Sequence, residues 1–217
     1  MLRTKQTGKI NMKKISDSTV RRMSQYYRSL SRLIEQSVQT ISSEKMAQIE
    51  NITSAQVRKD LSFFGSFGKR GLGYNTVELK TKIGEILGLD HQWNVAIVGA
   101  GNIGRALTDY TEFNRQGFFI GTVFESDTSK IGTQCNGVDI VDIEKAKINY
   151  KKKAIDIIII AVPAKHAQAV CEQFVNLGVR AFLNFAPISL QVPDNVVVKN
   201  ENMSVEIESL SFFLRNG

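Results

Sequence analysis

Trp93-Asn94-Val95-Ala96-Ile97-Val98-Gly99-Ala100-Gly101-Asn102-Ile103-Gly104 sets the architecture of the second half of this 217-residue chain. A mostly apolar run feeds directly into Gly99-x-Gly101-x-x-Gly104, and a helical pattern continues through about Thr111. Three spaced glycines alone are a weak signal. A strand before them and a helix after them is the context that dinucleotide binding requires. Gly99 permits the tight turn, Gly101 lets the backbone approach a pyrophosphate, and Gly104 lets the helix lie close on the strand. Ala100, Asn102 and Ile103 complete the turn and the helix start, whose N–H groups offer positive potential to phosphate.

Toward the C-terminus, the next strand spans 118–124 and ends in Glu125, 21 positions after Gly104, where an acid commonly binds the ribose 2′-hydroxyl. A carboxylate there repels a 2′-phosphate, which favours NAD(H) over NADP(H); Asp127 is the alternative acid. Further strands are expected at 138–141, 155–162 and 180–185, with a helix over 164–177 joining the last two. The pattern is α/β, a Rossmann-like doubly wound parallel sheet. The loops Ala161-Val162-Pro163-Ala164 and Asn184-Phe185-Ala186-Pro187 fall at its carboxyl edge, where such sheets bind ligands. Their small apolar side chains and backbone groups suit a flat adenine or nicotinamide ring. In the final stretch, 203–214, Val205, Ile207, Leu210, Phe213 and Leu214 need a partner surface. Either their own sheet or a second subunit would serve.

Toward the N-terminus the character changes. Residues 1–90 carry 16 Lys and Arg against 8 Asp and Glu, whereas residues 91–217 carry 12 against 13. The whole basic excess therefore sits in the first part, as a phosphate-neutralising unit requires. A solubilising basic tail is the plainer reading of composition alone. The helical pattern argues against it. A first helix is expected over 17–38, with Val20, Met23, Tyr27, Leu30 and Ile34 as its buried stripe and Arg21, Arg22, Arg28 and Arg32 off it, available to phosphate or to a neighbouring domain. A second runs over 43–49, with a turn at Glu50-Asn51-Ile52. Thr53-Ser54-Ala55-Gln56 has capping-box spacing, Thr53 capping and Gln56 reaching back. The helix that follows stops near Gly65.

Along that helix Val57, Leu61 and Phe64 point inward, and Ala55, Lys59 and Ser62 lie opposite, flanked by Gln56 and Arg58. A small residue, an amide and cations on one face suit base edges and phosphates in the major groove. The segment 65–74 has four glycines with Lys69 and Arg70. It reads as a β-hairpin or wing laying those cations on the backbone or in the minor groove. An N-terminal winged-helix (helix-turn-helix) domain results. Its candidate DNA contacts are Ser54, Gln56, Arg58, Lys59, Ser62, Lys69, Arg70 and Tyr74. A fourth helix over 75–87 ends at Gly88, and Asp90-His91-Gln92 forms a short linker that would let rotation of one domain move the other.

The longest apolar stretch, 155–164, is far short of a membrane span, and no signal-peptide run opens the chain. Cys135 and Cys171 lack metal-type spacing, so no metal and a reduced cytoplasmic setting are expected. Residues 1–11 are polar and aperiodic, and Met12 is an alternative start. The expected organisation is a flexible extension (1–15), the winged-helix domain (16–90), the dinucleotide domain (91–202) and a terminal helix (203–217).

Four stretches in order resemble the Rex family of redox-sensing transcriptional repressors. They are Gln56-Val57-Arg58-Lys59-Asp60-Leu61-Ser62-Phe63-Phe64-Gly65, the wing through Gly73-Tyr74, Gly99-Ala100-Gly101-Asn102-Ile103-Gly104, and Asn184-Phe185-Ala186-Pro187. The resemblance covers nearly all of the chain beyond Met12. It implies a homodimer that exchanges its C-terminal helices and binds an A/T-rich inverted-repeat operator. NADH would close the dimer and release the DNA, whereas NAD⁺ would support the DNA-bound form. It also implies that Tyr110 lies near the nicotinamide. The family's Asp before the C-terminal helix corresponds here to Asn202, an amide that cannot change charge, and the neighbouring Glu201 would point elsewhere. Weaker NADH/NAD⁺ discrimination is the consequence.

An NAD-dependent dehydrogenase is the leading rival. It needs a substrate pocket and an acid/base at the nicotinamide, yet only 113 residues follow Gly104. Of the two histidines, His91 falls in the linker and His166 reads as a polar helix-start residue. The chain is therefore read as no enzyme, although turnover of 2-hydroxy acids or aldehydes would reverse that. A CoA- or nucleotide-binding module is the second rival, opposed by Glu125. Tight CoA binding without NADH binding would favour it.

Overall fold

Two cores organise the chain, one in residues 1–90 and one in residues 91–217. The computed structural model describes residues 15–68, 71–152 and 154–217. Residues 1–14 of the expected extension (1–15), with the alternative start at Met12, and the wing cations Lys69 and Arg70 lie outside the described residues.

In the first unit, helix α1 (Asp17–Glu35) starts where the Ser16 hydroxyl accepts the Thr19 N–H at 3.2 Å. It stops three residues before the expected end because Ser37 takes φ +61° and turns the chain into strand β1 (Thr40–Ile41). Its buried face is Thr19, Met23, Tyr26, Ser29 and Leu30. The expected stripe is thus corrected at three places: Val20 is 43% exposed, Ile34 is only half-buried, and Tyr26 rather than Tyr27 is fully buried. The reason is a buried acid, described below, that draws polar side chains of α1 inward.

Helix α2 (Ser43–Glu50) is capped by Ser42 and closed by Asn51 in the left-handed region. Helix α3 (Ser54–Ser62) is capped by Thr53, whose Oγ1 accepts the Gln56 N–H at 3.1 Å. The Gln56 side chain does not close the box; it turns to Asp60 instead. Strand β2 (Tyr74–Asn75) pairs antiparallel with β1, Ile41 opposite Tyr74. The wing strand therefore finds its partner before α2. The rest of the expected hairpin or wing includes Lys69 and Arg70, which lie outside the described residues. Gly73 has φ +77° and lies so close to the Ile41 carbonyl that a Cβ would clash. Helix α4 (Thr76–Leu87) is capped by Asn75 and ended by Gly88 at φ +70°. Met23, Tyr26, Leu30, Met46, Val57 and Ile83 form the centre of this core.

The second unit opens with β3 (Trp93–Val98), α5 (Asn102–Thr108), the short α6 (Glu112–Arg115) and β4 (Phe118–Glu125). The helix expected through Thr111 thus ends at Thr108, and α6 is a separate turn beyond it. There follow β5 (Gln134–Cys135), β6 (Val138–Asp142), a 3₁₀ turn (Ile143–Lys145), α7 (Ala146–Lys152), β7 (Ile157–Ile160), α8 (Ala164–Leu177) and β8 (Ala181–Asn184). Strand β9 (Val197–Asn200) and helix α9 (Met203–Asn216) end the chain. The sheet order is β5-β6-β4-β3-β7-β8-β9. Every pairing is parallel except β5 with β6. The chain reverses direction across the sheet between β4 and β7, on either side of β3, so the crevice at their carboxyl ends is where a dinucleotide binds in this topology. Strands β5 and β9 were not anticipated, because one is two residues long and the other follows a loop with two prolines.

One face of the sheet is covered by α8, whose Ala167, Cys171 and Phe174 join Phe124, Ile158 and Ile160 in a dry core. On the other face Leu107 and Phe113 join Val95, Ile97 and Val123. The link from β8 to β9 contains no helix. On that side Phe113, Phe118, Ile157, Ala181, Leu183 and Val197 line an apolar groove of about 270 Å³. Helix α9 has no buried residue at all, so its apolar side chains are not docked on their own sheet.

Candidate dinucleotide cradle and nucleic-acid interface

The glycine motif behaves as its spacing requires. Gly99 adopts φ +106° and abuts the Ala161 carbonyl and Val162, which holds the ends of β3 and β7 together. Gly101 opens α5, and a Cβ there would meet nothing within 4 Å, so its backbone faces free space. Gly104 sits against the Gly99 carbonyl, where a Cβ would collide with backbone. Ala100 is buried and Ile103 is 43% exposed.

Glu125 ends β4 and turns toward this loop. Its Oε2 accepts the Ala100 N–H at 2.9 Å, and its Oε1 accepts the Ser126 and Asp127 N–H groups at 2.7 and 3.1 Å. Burial pushes its pKa up, but those three amides and Lys130, at 3.8 Å, outweigh it and hold the carboxyl below the usual range. It is a carboxylate at neutral pH. Asp127 instead caps its own loop through Ser129 and pairs with Lys130 at 3.3 Å.

Gly99, Gly101, Glu125, Ala161, Val162 and Pro163 share one cavity of about 600 Å³. Lys130, Glu144, His166 and Gln173 also line it. Sequence reasoning gave none of these four a ligand role. The available signals were the places of Lys130 shortly after Glu125 and of His166 shortly after Pro163. The structure does not bring Ala100, Asn102, Ile103, Gly104, Tyr110, Phe185, Ala186 or Pro187 into that lining. Tyr110 is half exposed and stands edge-on to Phe113 at 4.9 Å. Phe185 and Ala186 pack in the apolar clusters on the two faces of the sheet, and the loop carrying them is stapled by the buried Asn184 amide, which donates to the Ala186 and Ile188 carbonyls and to Asn200. Asn202 caps α9, its Oδ1 accepting the Ser204 N–H at 3.1 Å.

In the first unit the most constrained group is Asp60, fully buried on α3. Its Oδ2 accepts Arg22 Nε at 2.6 Å and Tyr26 O–H at 2.8 Å. Its Oδ1 accepts Arg22 Nη2 at 2.8 Å, Gln56 Nε2 at 2.7 Å and Thr19 Oγ1 at 3.5 Å. Burial alone raises its pKa, yet the donors from Arg22, Tyr26 and Gln56 bring it below the ordinary value. The Tyr26 phenol is pushed strongly up by burial and by the carboxylate it faces. Arg22 is therefore committed to this pair, which corrects its expected availability to phosphate. A buried ion pair of this kind ties α1 to α3 and, once built, is costly to break on one side.

Of the expected DNA contacts on α3, Lys59 and Ser62 are exposed and Ser54 and Gln56 half-buried. Arg58 is held by Ser43 Oγ at 3.0 Å and Glu44 at 3.2 Å. Tyr74 lies with Arg58, Ser42 and Phe67 around a polar recess of about 420 Å³, where burial raises its phenol pKa. Exposed cations, hydroxyls and an amide on one capped helix beside a glycine-rich loop make a surface suited to phosphate and base edges. Among the described residues no cluster of His, Cys, Asp and Glu forms a metal site, and no helix is long and apolar enough to cross a membrane.

Two family models match: one described as a putative DNA-binding protein N-terminus over residues 14–62, and one described as a CoA binding domain over residues 90–188. The redox-sensing transcriptional repressor Rex of Carboxydothermus hydrogenoformans is 45% identical over 93% of this chain and 97% of that protein. Rex 1 of Thermotoga maritima is 41% identical over 92% of this chain and 95% of its own length. Among solved structures, RSP in complex with β-NAD⁺ and operator DNA superposes with a TM-score of 0.89 at 36% identity, covering 93% of each chain. RSP in complex with β-NADH gives 0.85 at 34% identity, covering 94% of this chain and 95% of that one. With winged-helix and doubly wound units in the same order as these relatives, and identity well above 30% over nearly the whole length, the chain belongs to the Rex family of redox-sensing transcriptional repressors.

Proposed function

We propose that the chain represses transcription by holding an A/T-rich inverted-repeat operator with its winged-helix unit, and that NADH bound in the second unit releases it. The observation that carries this reading is the Glu125 carboxylate set against the glycine turn, within one cavity, on a chain whose other unit holds the whole basic excess. A dinucleotide fits there: Gly101 leaves its backbone open, and Glu125 can accept a ribose hydroxyl while opposing a 2′-phosphate. When bound, NAD(H) supplies a redox state that differs by charge and shape at the nicotinamide. The protein responds only as far as it binds the two forms differently in its two conformations. Ser54, Gln56, Arg58, Lys59, Ser62 and Tyr74 are assigned to DNA, with Lys69 and Arg70 of the wing. Tyr110 and the Phe185–Pro187 loop are assigned to the nicotinamide end.

The homodimer follows from what the sheet lacks. Parallel strands are normally covered by helices on both faces, yet the β8–β9 link supplies none, leaving an apolar groove on one side. Helix α9 carries Met203, Ile207, Leu210, Phe213 and Leu214, each 64–88% exposed. We assign α9 of a second copy to that groove. A cytoplasmic, non-enzymatic role accords with relatives named as transcriptional repressors.

Fluorescence anisotropy of an A/T-rich inverted repeat at fixed salt tests the reading. NADH should release the DNA and NAD⁺ should not. DNA binding indifferent to both, or CoA displacing NADH from the cavity, would overturn it.

A further inference from the structure

Gln56 and Asp60 lie one helical turn apart on α3, and the glutamine amide nitrogen is 2.7 Å from the buried carboxylate. A carboxylate accepts and cannot donate, so only the NH₂ end of the amide can face it. The other four donors on Asp60 come from Arg22, Tyr26 and Thr19, all on α1, so the acid cannot swing to follow the glutamine. An unconstrained glutamine can turn its amide over and present donor or acceptor at the same place. Here that freedom is removed.

We propose that Asp60 is a specificity-positioning residue: it fixes the orientation of the Gln56 amide so that the side chain offers Oε1 as acceptor and one remaining N–H as donor. In the major groove adenine presents the complementary N6–H donor and N7 acceptor, whereas guanine presents two acceptors. The fixed amide therefore selects an A·T pair and rejects G·C at one position of each half-site. This inference rests on the DNA-reading role of α3 proposed above.

The test is an operator scan by anisotropy with the full-length wild type, Gln56→Ala, Asp60→Asn and the double variant. The wild type should lose about 5- to 150-fold in affinity when the pair facing Gln56 becomes G·C. Gln56→Ala should abolish that penalty. Asp60→Asn, whose amide can donate or accept, should shrink it, and should not change it further once Gln56 is absent. A purely structural role for Asp60 would instead lower affinity equally at every pair. Because Asp60→Asn removes a buried ion pair, a second measurement uses the free wild type: the side-chain NH₂ resonances absent from Gln56→Ala should be shifted and exchange-protected. An averaged, unprotected pair overturns the proposal, as does a G·C penalty unaltered by Asp60→Asn. A Gln56→Ala variant with no effect at any base pair overturns it while leaving the repressor reading standing. No sequence-specific binding by the wild type overturns both.

Discussion

Replacing Leu210 and Phe213 by Asp should turn the proposed dimer into monomers. Leu210 is 64% and Phe213 66% exposed within one chain. Full burial of such a side chain contributes about 1.5–3 kcal/mol. Covering the remaining two-thirds of each is therefore worth about 1–2 kcal/mol. In a symmetric pair each residue counts twice, so the double change removes about 4–8 kcal/mol of association. It also forces aspartates toward an apolar groove, which adds to the loss. At about 1.4 kcal/mol per decade, the dimer Kd should rise by about three to six orders of magnitude. Since α9 has no buried residue in its own chain, the two cores lose no packing within the protomer. Sedimentation velocity over a concentration series reads the Kd, and far-UV circular dichroism checks that helix content survives. A double variant whose dimer Kd stays within tenfold of the parent's, or a parent that is itself monomeric throughout, refutes the assignment of α9 to a second copy.

Gly104→Ala drives a Cβ into the Gly99 carbonyl; it should cost about 1–3 kcal/mol by overpacking and weaken NADH binding, read by thermal unfolding and by NADH fluorescence. Asn202→Asp keeps an oxygen to cap α9 and so should leave stability within about 1 kcal/mol while raising the ratio of NADH to NAD⁺ affinity; an unchanged ratio in calorimetric titration means that charge at this position does not set discrimination. Asp60 has a folded pKa below its unfolded value near 3.8, so its stabilisation is complete above that pH and is lost as pH falls through the folded value. Asp60→Asn should flatten that acid limb in urea unfolding and, by stranding Arg22, cost about 3–5 kcal/mol at neutral pH.

Local rules carried much of the site. The glycine spacing, the acid at Glu125, the cap at Thr53 and the helix over 164–177 each depend on residues close in sequence, and the structure places them as expected. Other features depend on partners far along the chain. Tyr26 rather than Tyr27 is buried because Asp60, 34 residues away, needs its hydroxyl. Gln56 fits a capping box by spacing, but the same carboxylate wins its amide. Lys130 and His166 meet the glycine turn only once β4, β7 and their loops are brought to one sheet edge.

By itself the sequence determined the two-unit division, the winged-helix and doubly wound classes and the position of the glycine turn, because hydrophobic period, turn glycines and capping side chains act over a few residues. Only the tertiary structure decided which face of α1 is inside, how Gln56 is oriented, and that the sheet keeps an apolar groove while α9 keeps its apolar face exposed. Those outcomes turn on which donors satisfy a buried charge and which surfaces find cover. Both are settled by contacts between distant segments.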